Sequence, residues 1–228
     1  MATRLCWLGH ATLLLESDNY KILMDPFLTG NPKATMKADE VEANFIIVSH
    51  GHGDHVGDAV PIAQRTEAMV IANYEIMGWL QKQGLTKVHG QQHGGSYQFP
   101  FGRVKFTQAW HGSVLPDGTY GGNPCGIHLF LKDGCRIYNA ADTALFSDMK
   151  LIGEDGVDLA ILPIGDNFTM GPDDALKAVK FIQPKKVMPI HYNTWDLIAQ
   201  DANAWAERVR QETPAQPLVP KPGEWIEV

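Results

Sequence analysis

The sequence predicts an α/β layered domain. Three observations lead there: short β-rich runs recur along the chain, helical segments are interspersed among them, and several apolar runs end in a polar or glycine-containing cluster. Residues 5–8, 13–16 and 21–24 are the first β-rich runs, the last two separated by the turn sequence Ser17-Asp18-Asn19. Residues 45–48 form a continuous apolar run that suits a buried strand. A helix over 58–65, a strand over 69–72 and a helix over 74–83, closed by Gly84, follow. Two glycine-rich stretches, 90–95 and 118–126, bracket a strand at 104–109. Further strands are expected at 127–131, 136–138, 159–162 and 186–188. Gly171-Pro172-Asp173-Asp174 opens a helix, with proline in the first turn and acids near the positive dipole end. It places Ala175, Leu176, Val179 and Ile182 on one face and stops before Pro184. A last helix at 202–212 and a closing strand at 225–228 complete the pattern.

Composition narrows the class. The chain has 228 residues, and its 19 Lys and Arg against 26 Asp and Glu give a formal net charge of −7, which argues against a broad DNA-binding face. The 44% hydrophobic content, with 22 Gly and 14 Pro, fits an ordinary globular chain and not a disordered or collagen-like one. This length buries a core without disulfides, and one domain over 1–228 is the expectation. The opening run is broken by Gly9, His10 and Thr12, so it does not read as a secretory leader, and no stretch of apolar residues is long enough to span a membrane. The 3 cysteines show no CxxC spacing and read as packed, reduced thiols of a cytoplasmic protein. Histidine is the unusual residue: there are 9, and His50, His52 and His55 crowd into six positions.

Those three sit in Ser49-His50-Gly51-His52-Gly53-Asp54-His55, directly behind the apolar run. In an extended backbone, residues two apart project to one side, so the rings of His50 and His52 share a direction. Gly51 and Gly53 free the backbone to turn and bring up Asp54 and His55. Imidazole and carboxylate bind zinc, manganese and iron well. Four such groups can anchor two adjacent metals but complete neither site. Further ligands are expected at other strand ends, where His111, Asp142 and His191 each follow an apolar run and precede a polar or glycine-containing loop. Each alone reads equally as a core or surface residue, but together they repeat one pattern. Asp25, in Met24-Asp25-Pro26, is placed to accept a hydrogen bond from the far nitrogen of a ligand histidine, or simply to form an Asp-Pro turn. His10 is open between a pocket position and a structural one, while His89, His93 and His128 read as surface or strand residues.

With these residues in view, the sequence resembles a metallo-β-lactamase-fold hydrolase, whose HxHxDH signature is matched by His50, His52, Asp54 and His55. It is most similar to uncharacterised metal-dependent hydrolases related to the L-ascorbate-6-phosphate lactonases. The similarity runs through Gly9-His10-Ala11-Thr12, Met24-Asp25-Pro26-Phe27-Leu28, Gly94-Gly95-Ser96-Tyr97, Gly121-Gly122-Asn123-Pro124, Asp142-Thr143-Ala144, Gly165-Asp166-Asn167-Phe168-Thr169-Met170-Gly171 and Pro189-Ile190-His191-Tyr192-Asn193-Thr194.

The resemblance implies a four-layer αββα sandwich with a dinuclear site at one edge of its two facing sheets. His50, His52 and His111 would hold one ion, Asp54, His55 and His191 the other, and Asp142 would bridge them. The ions implied are two divalent cations, zinc first, with manganese or iron as alternatives. A hydroxide generated there would attack an ester, lactone or phosphodiester of a small substrate, with Asp54 orienting it as the catalytic residue. Asn167, Thr169, Tyr192 and Asn193 are the candidate substrate-binding residues, and Lys33 and Lys37 would favour an anionic substrate. A departure stands before the bridging aspartate: the family pattern reads His-Ala-Gly-Asp, and this chain has Asn139-Ala140-Ala141-Asp142. The added methyl matters if that position needs a positive φ. A redox role is disfavoured, because diiron flavoproteins of this fold carry Glu where His52 stands. A non-catalytic role is disfavoured by the intact ligand set, and a nuclease by the lack of a basic, aromatic-interleaved segment. The oligomeric state is open, a homo-oligomer included.

Overall fold

Alternation along the first strand already divides two cores. Leu5 and Trp7 enter one apolar cluster while Cys6 and Leu8 enter another, because successive side chains of a strand point to opposite faces. The computed structural model describes residues 3–228; Met1 and Ala2, where the stretch read for a leader begins, lie outside the described residues. Its first half runs β1 (Arg4–Gly9), β2 (Thr12–Ser17), β3 (Tyr20–Met24), β4 (Phe45–Ile47), α1 (Gly53–Val56), α2 (Ala59–Thr66), β5 (Met69–Asn73), α3 (Tyr74–Lys82) and β6 (Val88–Gln91). The second half runs β7 (Ser96–Phe99), β8 (Gly102–Gln108), β9 (Cys125–Leu131), β10 (Arg136–Asn139), α4 (Met149–Glu154), β11 (Leu159–Pro163), α5 (Pro172–Ile182), β12 (Lys186–Ile190), α6 (Ala202–Glu212), β13 (Gln216–Pro217) and β14 (Trp225–Glu227).

The strands form two seven-stranded sheets, ordered β14-β1-β2-β3-β4-β5-β6 and β13-β12-β11-β10-β9-β8-β7. Each sheet starts as antiparallel hairpins and continues as parallel strands. The inner faces meet through apolar contacts such as Phe45 against Phe101, with ring centroids 4.8 Å apart. Helices α2 and α3 cover the outer face of the first sheet through Ile62, Ile76 and Leu80. Helices α5 and α6 bring Leu176, Val179, Trp205 and Val209 to the cluster that includes the second sheet. Helix, sheet, sheet and helix are therefore the four layers expected.

Strand directions place the site. Because β2 runs antiparallel to both neighbours, β1 and β3 are parallel to each other and to β4. By the same logic β8, β10, β11 and β12 share a direction. His10, Asp25, the 50–55 segment, His111, Asp142 and His191 all follow the C-terminal ends of these strands, where an α/β sheet opens its crevice.

Several elements depart from expectation. Two strands flank the glycine-rich 90–95 stretch that were not expected there: β6 runs into it at Gln91 and β7 begins directly after it. Strand β6 reads VHGQ and β7 reads SYQF, so neither shows an apolar period. The short elements α1, α4 and β13 had no sequence signal either, β13 being a two-residue edge strand that contains Pro217. His128 is a strand residue, in β9, and is fully buried, not on the surface. No helix among the described residues is long and apolar enough to cross a membrane.

Candidate metal centre

Left-handed backbone is concentrated at this crevice. Of the eleven non-glycine residues with positive φ among the described residues, seven (His10, Asp25, Ala141, Asp166, Asn167, His191 and Asn193) stand just after strands that end there. Such strain is tolerated where surrounding contacts over-determine the chain, often at functional sites. Asn, Asp and His tolerate this region; Ala141, at φ 52°, has no such side-chain compensation. The position before Asp142 is thus one that glycine would fill without strain, and its amide is held by Asn139 Oδ1 at 3.0 Å. Ala141→Gly is expected to stabilise the fold by about 1 kcal/mol, measured by urea denaturation. Glycine is required elsewhere for space: a Cβ on Gly165, at the end of β11, would collide with the His191 carbonyl oxygen.

The crevice brings all seven predicted ligands together. His50 Nε2 lies 3.1 Å from His52 Nδ1, and His111 Nε2 lies 3.2 Å from the same atom. Ligands of a tetrahedral zinc at 2.0–2.1 Å stand about 3.3–3.4 Å apart, so these two spacings, with all three ligand atoms within 4.8 Å of one another, suit a metal. On the far side of His50, Nδ1 meets Ser49 Oγ at 2.9 Å. Asp54, His55 and His191 form the second group, whose ligand atoms, with a nitrogen of His10, lie within 4.8 Å of one another.

Asp142 stands between the groups. Its Oδ2 is 3.3 Å from His55 Nε2, 3.1 Å from His191 Nε2 and 3.5 Å from His111 Nε2. Asp142 Oδ1 and His55 Nε2 are buried with no hydrogen-bond partner. Buried polar atoms rarely stay unsatisfied, so atoms that converge without bonding one another fit a cation placed among them. Asp25 fixes the site from behind, with Oδ2 2.9 Å from His55 Nδ1 and 2.7 Å from Ser49 Oγ, and Oδ1 accepting the Ser49 amide at 2.8 Å. That fixes the His55 ring with Nε2 facing Asp142.

Charge is stored unevenly here. Burial holds the His50 ring far below the ordinary histidine pKa, and also lowers His52 and His111. Burial drives His10 down to about 4 despite its bond to Asp54. For His55 burial is outweighed by the carboxylates Asp142 and Asp25, which raise it well above 6.5. For Asp142 burial is outweighed by His191 and His55, and for Asp54 by His10 and His55, so both stay ionised far below the usual range.

The sign of the metal-free pH dependence follows. Below pH 6.5 the unfolded chain protonates histidines that the fold keeps neutral, namely His10, His50, His52 and His111, so stability falls on acidification. His55 contributes stability that is full below 6.5 and is lost as pH rises toward its elevated folded value. The expected thermal midpoint of the stripped protein, scanned from about pH 4 to about pH 9, peaks near neutrality, with the steeper fall on the acid side. A midpoint that rises on acidification below 6.5 would contradict these assignments.

The candidate substrate residues are more dispersed. Tyr192 and Asn193 line a cavity of about 820 Å³ with Trp7, Lys33, Gln200 and Lys221, where Tyr192 is stacked on Trp7 at 5.3 Å. Asn167 and Thr169 are on the 166–170 loop, which is tied to the residue after Asp142 by the Met170 amide donating to the Thr143 carbonyl at 3.0 Å. Lys37 lies in a different cavity, with Thr35, Asp39 and Glu40. Sequence reasoning left His10 unassigned. The signal was present, since His10 ends an apolar strand before Ala11-Thr12, the pattern that selected His111, Asp142 and His191.

A family profile described as a beta-lactamase superfamily domain matches residues 4–191, and the chain belongs to the metallo-β-lactamase superfamily. Within it, the chain belongs with the UPF0173 metal-dependent hydrolases. One of these, from Thermus thermophilus, is 52% identical over 206 residues, covering 90% of this chain and 91% of the relative. Another, from Pelotomaculum thermopropionicum, is 49% identical over 230 residues, covering 99% and 100%. Among solved structures, Igni18, a metallo hydrolase from the archaeon Ignicoccus hospitalis, superposes with a TM-score of 0.91 at 33% identity, covering 100% of this chain and 99% of the other.

Proposed function

We propose that the protein hydrolyses an ester, lactone or phosphodiester of a small substrate at a centre of two divalent ions, zinc first and manganese or iron as alternatives. The observation that carries this reading is Asp142, whose Oδ2 lies within 3.5 Å of histidines from both groups. His50, His52 and His111 would hold one ion, Asp54, His55 and His191 the other, and Asp142 both. Bound ions of this kind supply Lewis acidity, which brings the pKa of water toward neutrality and stabilises developing negative charge on oxygen.

The chain's own residues supply the remainder. Asp54 is 27% exposed while Asp142 is 3% exposed, so Asp54 is the carboxylate that a substrate-side water reaches. Held as an anion, it accepts a hydrogen bond from the attacking water and orients it, and its low pKa suits that role better than retaining a proton. Asp25 and Ser49 keep His55 and His50 in fixed ring orientations. Exposed Trp110, Phe168 and Trp195 stand on loops next to His111, Asp142 and His191, where a substrate's carbon skeleton can pack. Lys33 and Lys221 outnumber Asp201 in the cavity with Tyr192 and Asn193, and this excess of positive charge supports an anionic group on that substrate. Ligands drawn from both sheets support reading 1–228 as one catalytic domain.

The test is a screen of chromogenic phosphodiesters, lactones and thioesters with zinc and manganese in parallel. Turnover of at least one class that depends on added metal is expected. No turnover of any class with either metal, or equal turnover by stripped protein, would overturn the hydrolytic reading.

A further inference from the structure

His10 is fully buried, and both ring nitrogens are engaged by polar atoms. Nε2 lies 3.1 Å from Asp54 Oδ2, and Nδ1 lies 2.8 Å from Thr194 Oγ1. Its carbonyl oxygen accepts the His191 amide at 3.0 Å and the Trp7 indole N–H at 2.9 Å. The ring also packs against His191, with centroids 4.1 Å apart. One residue at the β1–β2 corner thus touches two predicted ligands, one from each sheet. The arrangement fixes the hydrogen-bond roles. Asp54 is an acceptor, so Nε2 carries the proton between them, and the Thr194 hydroxyl donates to Nδ1.

We propose that His10 is a positioning residue for metal binding, donating Nε2–H to Asp54 Oδ2, which also lies 3.9 Å from His191 Nε2, so that the carboxylate is held facing the ion it would share with His55 and His191. The proposal rests on the two-ion reading of the centre. Asp54 needs such a restraint because it sits in the first turn of the four-residue helix α1, just after Gly51-His52-Gly53. That backbone is permissive, and the helix is too short to fix a side chain by itself. Thr194, four residues beyond β12, locks the ring from the second sheet, so closure of the two sheets and orientation of Asp54 become one event. Partners behind a metal ligand commonly change affinity by 10–100-fold.

The experiment is calorimetric titration of zinc into stripped full-length protein, which needs no substrate. Wild type is expected to show two binding events per chain, and a single event would remove the two-ion reading before any variant is made. His10→Ala is expected to weaken one event about 10–100-fold and leave the other, assigned to His50, His52 and His111, unchanged. His10→Gln, whose amide can donate to Asp54, is expected to recover part of the loss. It also serves as the working variant if His10→Ala does not fold. In a background of Asp54→Ala, removing His10 should cost no further affinity, because the bond it makes is already gone. Unchanged events in His10→Ala, or additive losses in the double variant, would overturn the proposal and leave His10 a packing residue. Altered zinc affinity without turnover of any substrate would leave the proposal standing and count against the hydrolytic reading alone.

Discussion

Replacing Asp142 with alanine is expected to lower kcat/KM by roughly 10²–10⁴-fold, the several kcal/mol that a correctly held metal contributes. It is also expected to weaken zinc binding in both groups. The carboxylate is buried, and its Oδ2 lies 3.1–3.5 Å from nitrogens of His55, His111 and His191. Removing it takes away the carboxylate these three imidazoles share, leaving Asp54 at 3.9 Å from His191, and takes one of the two carboxylates that raise His55. Asp142→Asn separates charge from shape: it keeps the volume, loses the charge, and is expected to fall nearly as far. Steady-state kinetics and zinc titration on both variants check this result. Full activity in either variant would remove Asp142 from the centre.

Chelation has the second largest expected effect. Stripped protein should lose turnover of any substrate found by the screen, and zinc or manganese should restore it. The fold should also soften. Ions present at about a thousand times their dissociation constant stabilise the native state by about 4 kcal/mol per site, so loss of both is a fall of roughly 15–30 °C in Tm for a chain of this size. Calorimetry with and without chelator measures it. An unchanged midpoint together with unchanged turnover would contradict a metal role in both chemistry and stability.

Much of the fold was legible because the long strands carry strong local patterns. The runs at 45–48, 127–131 and 159–162 are apolar enough to be recognised alone, and the helix opened by Pro172-Asp173-Asp174 carries its own start and stop signals. What escaped was short or at an edge: β6, β7 and β13 pair through backbone groups, and their side chains show no period to read. The ligand candidates were legible because four crowd into 50–55 behind an apolar run and His111, Asp142 and His191 each follow another. His10 closes one too, but its partners Asp54 and Thr194 lie 44 and 184 residues away, and only the meeting of the two sheets reveals them. The positive φ of Ala141 shows the same limit in backbone form. The substitution was visible in the sequence, but whether it strains the chain depended on how β10 turns into the crevice.

The central claim, that this crevice is a two-metal centre, is tested most directly by the divalent metal content of purified full-length protein, measured by mass spectrometry alongside turnover. Close to two ions per chain are expected. Turnover that persists in protein carrying no divalent metal would contradict it.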